Sequence, residues 1–313
     1  MVQRYAVNPG IGIVCRDREV RLWLEQWLAS TRLVPPVPLT VAVDVAATLQ
    51  AEERDPRQPF CQPMLEIRSG PPQGDVRIRW LAAPARAVIA AGGRTAEVHL
   101  TPEALADRDL VARSFVTTVL IFLLRRAGWH HVHAATARDP AGRGWLFAGD
   151  SQSGKSTTAA LLASRGWAVG TDDVAFLVHN GGSVEVVAQR ATIALRPEGF
   201  ALLGLAGGTP VRGGQKTAFF PEELGGTWAE RVAPQILVLP RVGNGDATRT
   251  EPLRPREALA ELVRWSGWVL LEPALAQEHL DLLNALARQV RSYRLTLGPD
   301  LFTQPDLFAE LIP

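Results

Sequence analysis

The sequence predicts an α/β fold built around a glycine-rich loop, preceded by a smaller β-rich or mixed α+β region. Residues 149–157 read GDSQSGKST between an apolar stretch and an amphipathic one, which is the order of strand, phosphate-binding loop (P-loop) and helix. Short segments in the first hundred positions alternate apolar and polar residues, a period typical of half-buried strands. We therefore predict an accessory domain over residues 1–103 and a larger α/β domain over residues 104–313.

Length and charge restrict the class of protein. A chain of 313 residues is longer than most single domains, which favours two domains or one enlarged α/β domain. Its 33 Lys and Arg nearly balance its 32 Asp and Glu, so no overall positive field attracts nucleic acid. We expect any phosphate site to be local and no nucleic acid among the partners.

The sequence also carries signals about location. Cys15 and Cys61 are too few for a disulfide framework and lack a metal-ligand spacing. The first ten residues lack the apolar core of a signal peptide. The longest mostly apolar run, residues 115–124, reaches about half of the ~20 residues that span a bilayer. We expect a reduced, cytoplasmic protein with no membrane anchor.

The predicted accessory domain contains strand patterns but no catalytic motif. Proline and glycine interrupt it at 35–38 and 69–74, while residues 76–80 and 96–100 alternate as strands do. A helical pattern follows over 105–127. We expect this domain to serve recognition of a substrate or assembly, and self-association into a homo-oligomer is left open.

Residues 132–175 predict strand, turn, strand, loop, helix and strand in that order. The last of these strands, 167–169, is predicted to lie beside the strand 146–148 that precedes the loop. A hairpin is expected next, because residues 180–182 (Asn-Gly-Gly) tolerate the positive φ of a tight turn. The remaining predicted elements are a strand over 235–239, a helix over 276–290 and a strand over 292–297.

Each residue type in the loop has a chemical reason to be there. Gly149 and Gly154 permit positive φ and close backbone approach, so successive N–H groups can meet phosphate oxygens. Lys155 supplies a cation for the β- and γ-phosphates, and Ser156 supplies a hydroxyl for Mg²⁺. The pattern predicts binding of ATP with Mg²⁺. The predicted nucleotide-binding residues are Gly149, Asp150, Ser151, Gln152, Ser153, Gly154, Lys155, Ser156 and Thr157.

Two adjacent carboxylates, Asp172 and Asp173, follow the predicted strand 167–169. One interpretation is a pair of turn aspartates. The other is functional, because ligands of α/β sheets collect at the carboxyl ends of strands. One carboxylate can then hold a metal ion while the other accepts a proton from an attacking hydroxyl.

The segment HAATARDPAGRGWLFAGDSQSGKSTTAALLASRGWAVGTDD resembles the catalytic core of the HPr kinase/phosphorylase family. That family has a histidine opening a β-hairpin, then GxSGxGKS, then RG followed by an aspartate pair. His133, the loop, Arg165 with Gly166, and the aspartate pair stand here in that order. The resemblance covers about a third of the chain and implies an HPr kinase-type nucleotide-binding domain.

The resemblance also implies a role for each residue. Lys155 would bind the phosphates and Ser156 would bind Mg²⁺. Asp172 would be the catalytic base, and Asp173 would help to position the metal. His133 would lie close to the transferred phosphate.

The resemblance weakens after the aspartate pair. The family's metal-binding glutamate corresponds by distance to Glu198, although LRPEGFALLG differs from the family's EIRGLG-like motif. Family members also use a basic residue in a flexible loop near the phosphates. By resemblance, its counterpart here is Arg212 or Lys216, and the alternative is that this segment is only a solvated glycine-rich turn. The longer signature that accompanies recognition of the phosphocarrier HPr is absent. His130 and His131 lack a spaced third ligand, so no zinc is expected.

The resemblance therefore implies an ATP-dependent kinase that phosphorylates a hydroxyl group, with the serine of a protein or precursor peptide as the favoured acceptor. A small-molecule acceptor, such as a free amino acid or metabolite, is one alternative. Another is a regulator that binds ATP without an acceptor. Phosphorolysis of a phosphoserine product is a third.

Overall fold

The computed structural model of the chain describes residues 10–49, 61–62, 64–70, 74–190, 192–211, 216–243, 245, 247–267, 271–304 and 307–312. Over these residues the chain has a mixed α/β fold with several sheets and helices. It divides into two compact units. The first comprises the described parts of Met1–His130 and Trp268–Gln277, and the second comprises those of His131–Gly267 and Glu278–Pro313.

The first unit is built on a seven-stranded sheet in the order β1-β2-β7-β6-β5-β4-β3. β1, β2 and β7 run parallel, and the other neighbours are antiparallel. The strands predicted at 76–80 and 96–100 are confirmed as β5 and as part of β7. The elements are β1 (Ile11–Cys15), α1 (Arg18–Thr31), β2 (Leu39–Val45), β3 (Cys61–Gln62), β4 (Leu65–Ser69), β5 (Val76–Trp80), β6 (Ala85–Ile89) and β7 (Thr95–Leu100).

A helical segment follows this sheet and confirms the helix predicted over 105–127. After a 3-10 turn at Ala104–Asp107 it continues as α2 (Arg108–Leu110), a π-helical stretch (Val111–Val116) and α3 (Thr117–Arg125). Every residue of α3 is buried, and α3 contacts β6 and β7. The boundary predicted after residue 103 therefore falls inside the first unit, because the apolar helix packs on the sheet that precedes it. In the described part of the chain, no helix is both long and apolar enough to cross a membrane.

The main sheet of the second unit has the order β17-β12-β11-β8-β9-β18-β20-β19, with β10 paired to β8 and β16. β13, β15 and β14 form a separate three-stranded sheet. The strands are β8 (His130–Arg138), β9 (Gly144–Ala148), β10 (Ala168–Thr171), β11 (Val174–Asn180), β12 (Ser183–Ala188), β13 (Ile193–Leu195), β14 (Thr209–Pro210), β15 (Thr217–Phe219), β16 (Thr227–Trp228), β17 (Arg231–Val232), β18 (Pro234–Val242), β19 (Arg249–Leu253) and β20 (Arg291–Leu297). The helices are α4 (Lys155–Ser164), α5 (Pro197–Leu202), α6 (Pro255–Arg264), α7 (Pro273–Gln289), α8 (Asp300–Thr303) and α9 (Leu307–Leu311). Residues 273–277 of α7 belong to the first unit.

The predicted order of elements around the loop is confirmed, as are the 180–182 hairpin and the later strands and helix. One predicted neighbour is wrong. β10 does not lie beside β9 but pairs with β8 and β16. The reason is that β9 has no free edge, because its hairpin partner β8 takes one side and the parallel strand β18 takes the other.

The core of the second unit lies between this sheet and α4. The buried face of α4 and the strands β9, β18 and β20 contribute to one apolar cluster. Trp145 of β9 is at its centre, with ring centroids 5.2 Å from Trp167 and 5.3 Å from Phe308. This packing fixes the end of β9 and the start of α4, and so determines where the glycine-rich loop lies.

Candidate active site

The glycine-rich loop connects β9 to α4. β9 is buried along its whole length, and α4 begins at Lys155. Gln152 and Gly154 have φ values of 67° and 102°, and these turns redirect the chain from strand into helix. Gly154 caps α4 without a side chain. The N–H groups of the first turn are therefore left for an anion, which the positive end of a helix also attracts.

Gly154 is held against the sheet beneath it. A Cβ added at this position would lie 2.3 Å from Cδ1 of Leu297 on β20. A φ of 102° is, in addition, a conformation that side-chain-bearing residues rarely adopt. The backbone conformation therefore requires glycine here, and any side chain would also force Leu297 to move.

Lys155 is buried at the start of α4. Its Nζ donates to the carbonyl oxygens of Gly149 at 2.8 Å and Asp150 at 2.7 Å. Burial lowers the pKa of Lys155, while neighbouring carboxylates, Asp173 first, act to raise it. An ammonium group has three donors, and the two carbonyls use two of them. The third is left for an anion on the loop.

Ser153 marks a polar position that the described residues do not satisfy. Its Oγ is buried and has no hydrogen-bond partner in the described part of the chain. Buried hydroxyl groups are normally hydrogen-bonded, since an unpaired one costs free energy. The atom lies in the loop, 3.0 Å from where a Cβ on Gly149 would be. A bound anion at the loop would supply an acceptor for it.

Asp172 lies on the inner side of the site. It is 8% exposed, and the nearby hydroxyl of Ser156 acts to lower its pKa. The N–H of Ala194 on β13 donates to its Oδ2 at 3.4 Å. Burial, together with the charge of Asp173, raises the pKa of Asp172 to about 6. A cation bound beside it would relieve the cost of keeping this buried carboxylate charged.

Asp173 lies on the outer side. Its side chain is 62% exposed, and its Oδ1 is 2.6 Å from Nδ1 of His133 on β8. Its carbonyl oxygen accepts from the N–H of Ala134 at 3.2 Å. Desolvation acts to raise the pKa of Asp173, but the hydrogen bond and charge of His133 outweigh it, and the pKa is lowered. The adjacent carboxylates therefore differ in burial, partner and pKa.

An irregularity in β10 explains why the two aspartates diverge. The pairing of β10 with β8 shifts register between Val169 and Thr171, and such bulges redirect the side chains that follow them. Gly170 sits at the shift, where a Cβ would lie 2.4 Å from Oγ1 of Thr136. Thr171 Oγ1 then accepts from the N–H groups of Asp173 and Val174, at 3.3 Å each.

The structure brings most of the predicted site residues together. The contacts above join the loop residues, Lys155, Ser156, Asp172, Asp173 and His133. Glu198 lies in the first turn of α5 and is exposed. The adjacent Gly199 approaches α4, because a Cβ there would lie 2.8 Å from Oγ1 of Thr157.

The two predicted basic residues have different outcomes. The charge of Lys216, just before β15, acts on Asp172 and on Lys155. Arg212 lies outside the described residues.

Sequence reasoning missed Ala194, whose contribution is a backbone N–H that no side-chain pattern could reveal. It also missed Thr171, whose position directly before two aspartates is typical of a side chain that caps a turn.

Comparisons with known proteins give little further information. No family model matches the chain, and no curated protein sequence matches it. Among solved structures, the HPr(Ser) kinase/phosphatase from Coxiella burnetii aligns with 58% of this chain and 99% of its own, at 12% identity and a TM-score of 0.29. This is a weak structural similarity, and it adds no argument about activity. The family resemblance drawn from the motifs remains a prediction.

The donor set fits Mg²⁺ bound together with phosphates. Within the described residues, no three His, Cys, Asp or Glu side chains form a metal-binding group. Mg²⁺ at phosphate sites does not need one, because it takes one or two protein oxygens and completes its shell with phosphate and water. The Ser156 hydroxyl and the Asp172 carboxylate are two such oxygens, and they are close enough for the hydroxyl to affect the pKa of the carboxylate.

Proposed function

We propose that this protein is an ATP-dependent phosphotransferase that transfers the γ-phosphate of ATP to a hydroxyl acceptor. One observation carries the proposal. A buried lysine on a glycine-rich loop adjoins two carboxylates that differ in burial and partner. Binding of a nucleotide requires the loop and one metal carboxylate, whereas transfer also requires a group that faces the acceptor.

Lys155 and the loop N–H groups would hold the phosphates, and Ser156 with Asp172 would hold Mg²⁺, which neutralises charge on the phosphate oxygens. This reverses the roles expected from the family resemblance, in which Asp172 is the base and Asp173 the metal residue. Two features favour the reversal. Asp172 lies near the hydroxyl that suits the metal, and its burial favours a bound cation.

Asp173 and His133 form the second half of the proposed machinery. Their contact places a hydrogen between Nδ1 and the carboxylate, which leaves Nε2 as an acceptor in the neutral imidazole. An imidazole oriented by a carboxylate is suited to accept a proton. We infer that this pair, rather than Asp172, takes the proton of the acceptor hydroxyl.

The proposed step balances as follows. The acceptor oxygen attacks the γ-phosphorus, the bond from that phosphorus to the β,γ-bridging oxygen breaks, and ADP leaves with the electron pair. The hydroxyl proton passes to the His133–Asp173 pair. Lys155 stabilises charge on the phosphate oxygens during transfer.

The exposure of the outer carboxylate bears on the acceptor. Because most of the Asp173 side chain is open to solvent, a hydroxyl carried on a polypeptide can reach it. We therefore propose the serine of a protein or precursor peptide as acceptor. A free amino acid or another small hydroxyl compound is the alternative outcome of the test.

The test is incubation of the intact protein with γ-labelled ATP, Mg²⁺ and a panel of serine peptides, free amino acids and hydroxylated metabolites, followed by mass spectrometry. Label on a serine peptide is the expected result. Label on a small molecule would correct the acceptor class. ATP binding with no labelled acceptor and no ADP would favour the regulator, and absence of ATP binding would overturn the proposal.

Gly154→Ala is expected to lower ATP affinity by roughly 5-fold to 150-fold. The variant loop should relax away from the strained conformation and from Leu297, and ATP binding would have to restore it at a cost of about 1–3 kcal/mol. Calorimetry would measure the affinity. Gly142→Ala is the matched control, because Gly142 has a φ of 87° but open space around it. Equal ATP affinity in the two folded variants would contradict the proposed role of the loop.

Lys216→Ala is expected to lower kcat by about 10², which is the low end of the loss seen when one donor that stabilises charge is removed. The reason is that the charge of Lys216 acts on Asp172. Lys216→Arg should recover part of the rate, since it keeps the charge. Arg256→Ala, at an exposed position on α6, is the control. If Lys216→Ala leaves kcat unchanged, Lys216 does not act on the transferred phosphate.

A further inference from the structure

Three parallel strands end side by side at the glycine-rich loop. β9 leads into the loop, β18 pairs with β9, and β20 pairs with β18. The carboxylates Asp172 and Asp173 lie on the opposite side of β9, where β8 and β10 are. Since parallel sheets bind ligands at the carboxyl ends of their strands, a ligand that extends from the loop in this direction would meet the ends of β18 and β20.

An exposed apolar side chain lies at the end of β18. Val242 is 64% exposed, the highest value among the exposed large apolar residues of the described chain. Its Cγ2 is 4.0 Å from where a Cβ on Gly154 would be, so it adjoins the loop. Its register partner on β20 is Leu297, which packs under Gly154. Leu297 is buried and supports this surface from beneath, so the exposed side chain of Val242 and the backbone of Gly243 form an apolar rim next to the start of α4.

The rim is held in place by hydrogen bonds between the chain segments that follow β18 and β20. The N–H of Gly243 donates to the carbonyl of Leu297 at 3.0 Å. The N–H of Thr248 donates to Asp300 at 2.9 Å, and the N–H of Gly298 donates to Thr248 Oγ1 at 3.0 Å. A surface fixed in this way can bind a flat ligand without first becoming ordered.

We propose that the rim formed by Val242 and Gly243, with Leu297 packed beneath it, is the binding site of the nucleobase of ATP. This inference rests on the proposed function. If the γ-phosphate faces Asp172 and Asp173, the nucleoside at the other end of the triphosphate must leave the loop on the side away from them. That side is the rim, where an apolar side chain next to glycine backbone offers a face for a planar base.

The test compares two probes, ATP and inorganic tripolyphosphate, by calorimetry on the intact protein and on Val242→Ser. Removing apolar contact should weaken ATP binding roughly threefold to tenfold and leave tripolyphosphate binding unchanged. Val14→Ser is the matched control, because Val14 is 61% exposed on β1 of the first unit. Photolabelling with 8-azido-ATP should mark a peptide that contains Val242 or Leu297.

Each contrary result is distinct. Unchanged ATP affinity in Val242→Ser, or labelling only on other strands, overturns the base site and leaves the proposed function standing. Equal loss of ATP and tripolyphosphate shows that Val242 supports the loop and not the base. An intact protein that binds neither probe overturns the proposed function, and this inference with it.

Discussion

Replacing Lys155 with methionine is expected to abolish phosphoryl transfer and weaken ATP binding while the fold survives. The ammonium group is buried and fixed by two loop carbonyls, so its charge acts in a medium where electrostatic interactions are stronger than in water. Removing one preorganised donor from such a site typically costs about 10²–10³ in kcat. Lys155 is the cationic donor of the loop, and we expect a loss of at least that size.

Methionine retains the length of the apolar stem, so thermal unfolding should change little and serves as the check on folding. Lys155→Arg is expected to fail as well, because a planar guanidinium does not match a cradle built for a compact ammonium. Unchanged ATP affinity with unchanged turnover in Lys155→Met would remove the loop from the mechanism.

The adjacent aspartates are expected to give different kinetic defects. Asp172→Asn should raise the Mg²⁺ concentration needed for half-maximal rate, because it removes a charged oxygen beside Ser156. Asp173→Asn should lower kcat by roughly 10²–10⁴, the usual span of general base catalysis, with little change in the Mg²⁺ requirement. The loose transition state of phosphoryl transfer puts the expected loss toward the low end.

Turnover measured against Mg²⁺ concentration for both variants decides between the assignments. If Asp172→Asn lowers kcat and Asp173→Asn raises the Mg²⁺ concentration needed for half-maximal rate, the roles implied by the family resemblance are right and the reversal proposed here is wrong. If neither change affects transfer, the kinase mechanism itself fails.

Two further variants sharpen this test. His133→Gln should reproduce the rate defect of Asp173→Asn, and the double variant should lose little more, because residues that act as one unit are not additive.

Glu198→Gln examines the third predicted metal residue. If Glu198 is also a ligand, its Mg²⁺ requirement should rise as in Asp172→Asn. An unchanged requirement would leave it out of the metal site.

Local signals in the sequence predicted the elements around the loop. GDSQSGKST specifies a strand, a turn and a helix through residues that are neighbours in the chain, and the glycine pair at 181 and 182 specifies its hairpin in the same way. Pairing between distant segments could not be predicted. Parallel pairing of β2 with β7 joins residues 55 positions apart, and no turn chemistry records it.

The different environments of the two aspartates could not be predicted from the sequence. Asp172 and Asp173 are identical residues in adjacent positions. Their difference arises from the register shift in β10, from His133 on β8 and from a backbone N–H on β13. The placement of β10 was mispredicted for a related reason, because adjacency in sequence to the loop helix does not reveal that β8 and β18 occupy both edges of β9.

The proximity of Lys216 to Lys155 has a consequence for chemical labelling. These two are the only lysines in the sequence, so a reagent that acylates side-chain amines has no other lysine target in the chain. Lys216 is exposed and should react first, whereas Lys155 is buried and should react slowly. Acylation of either lysine alters the candidate site. Attachment of the protein to a surface through lysine amines should therefore be avoided, since it would occur at that site.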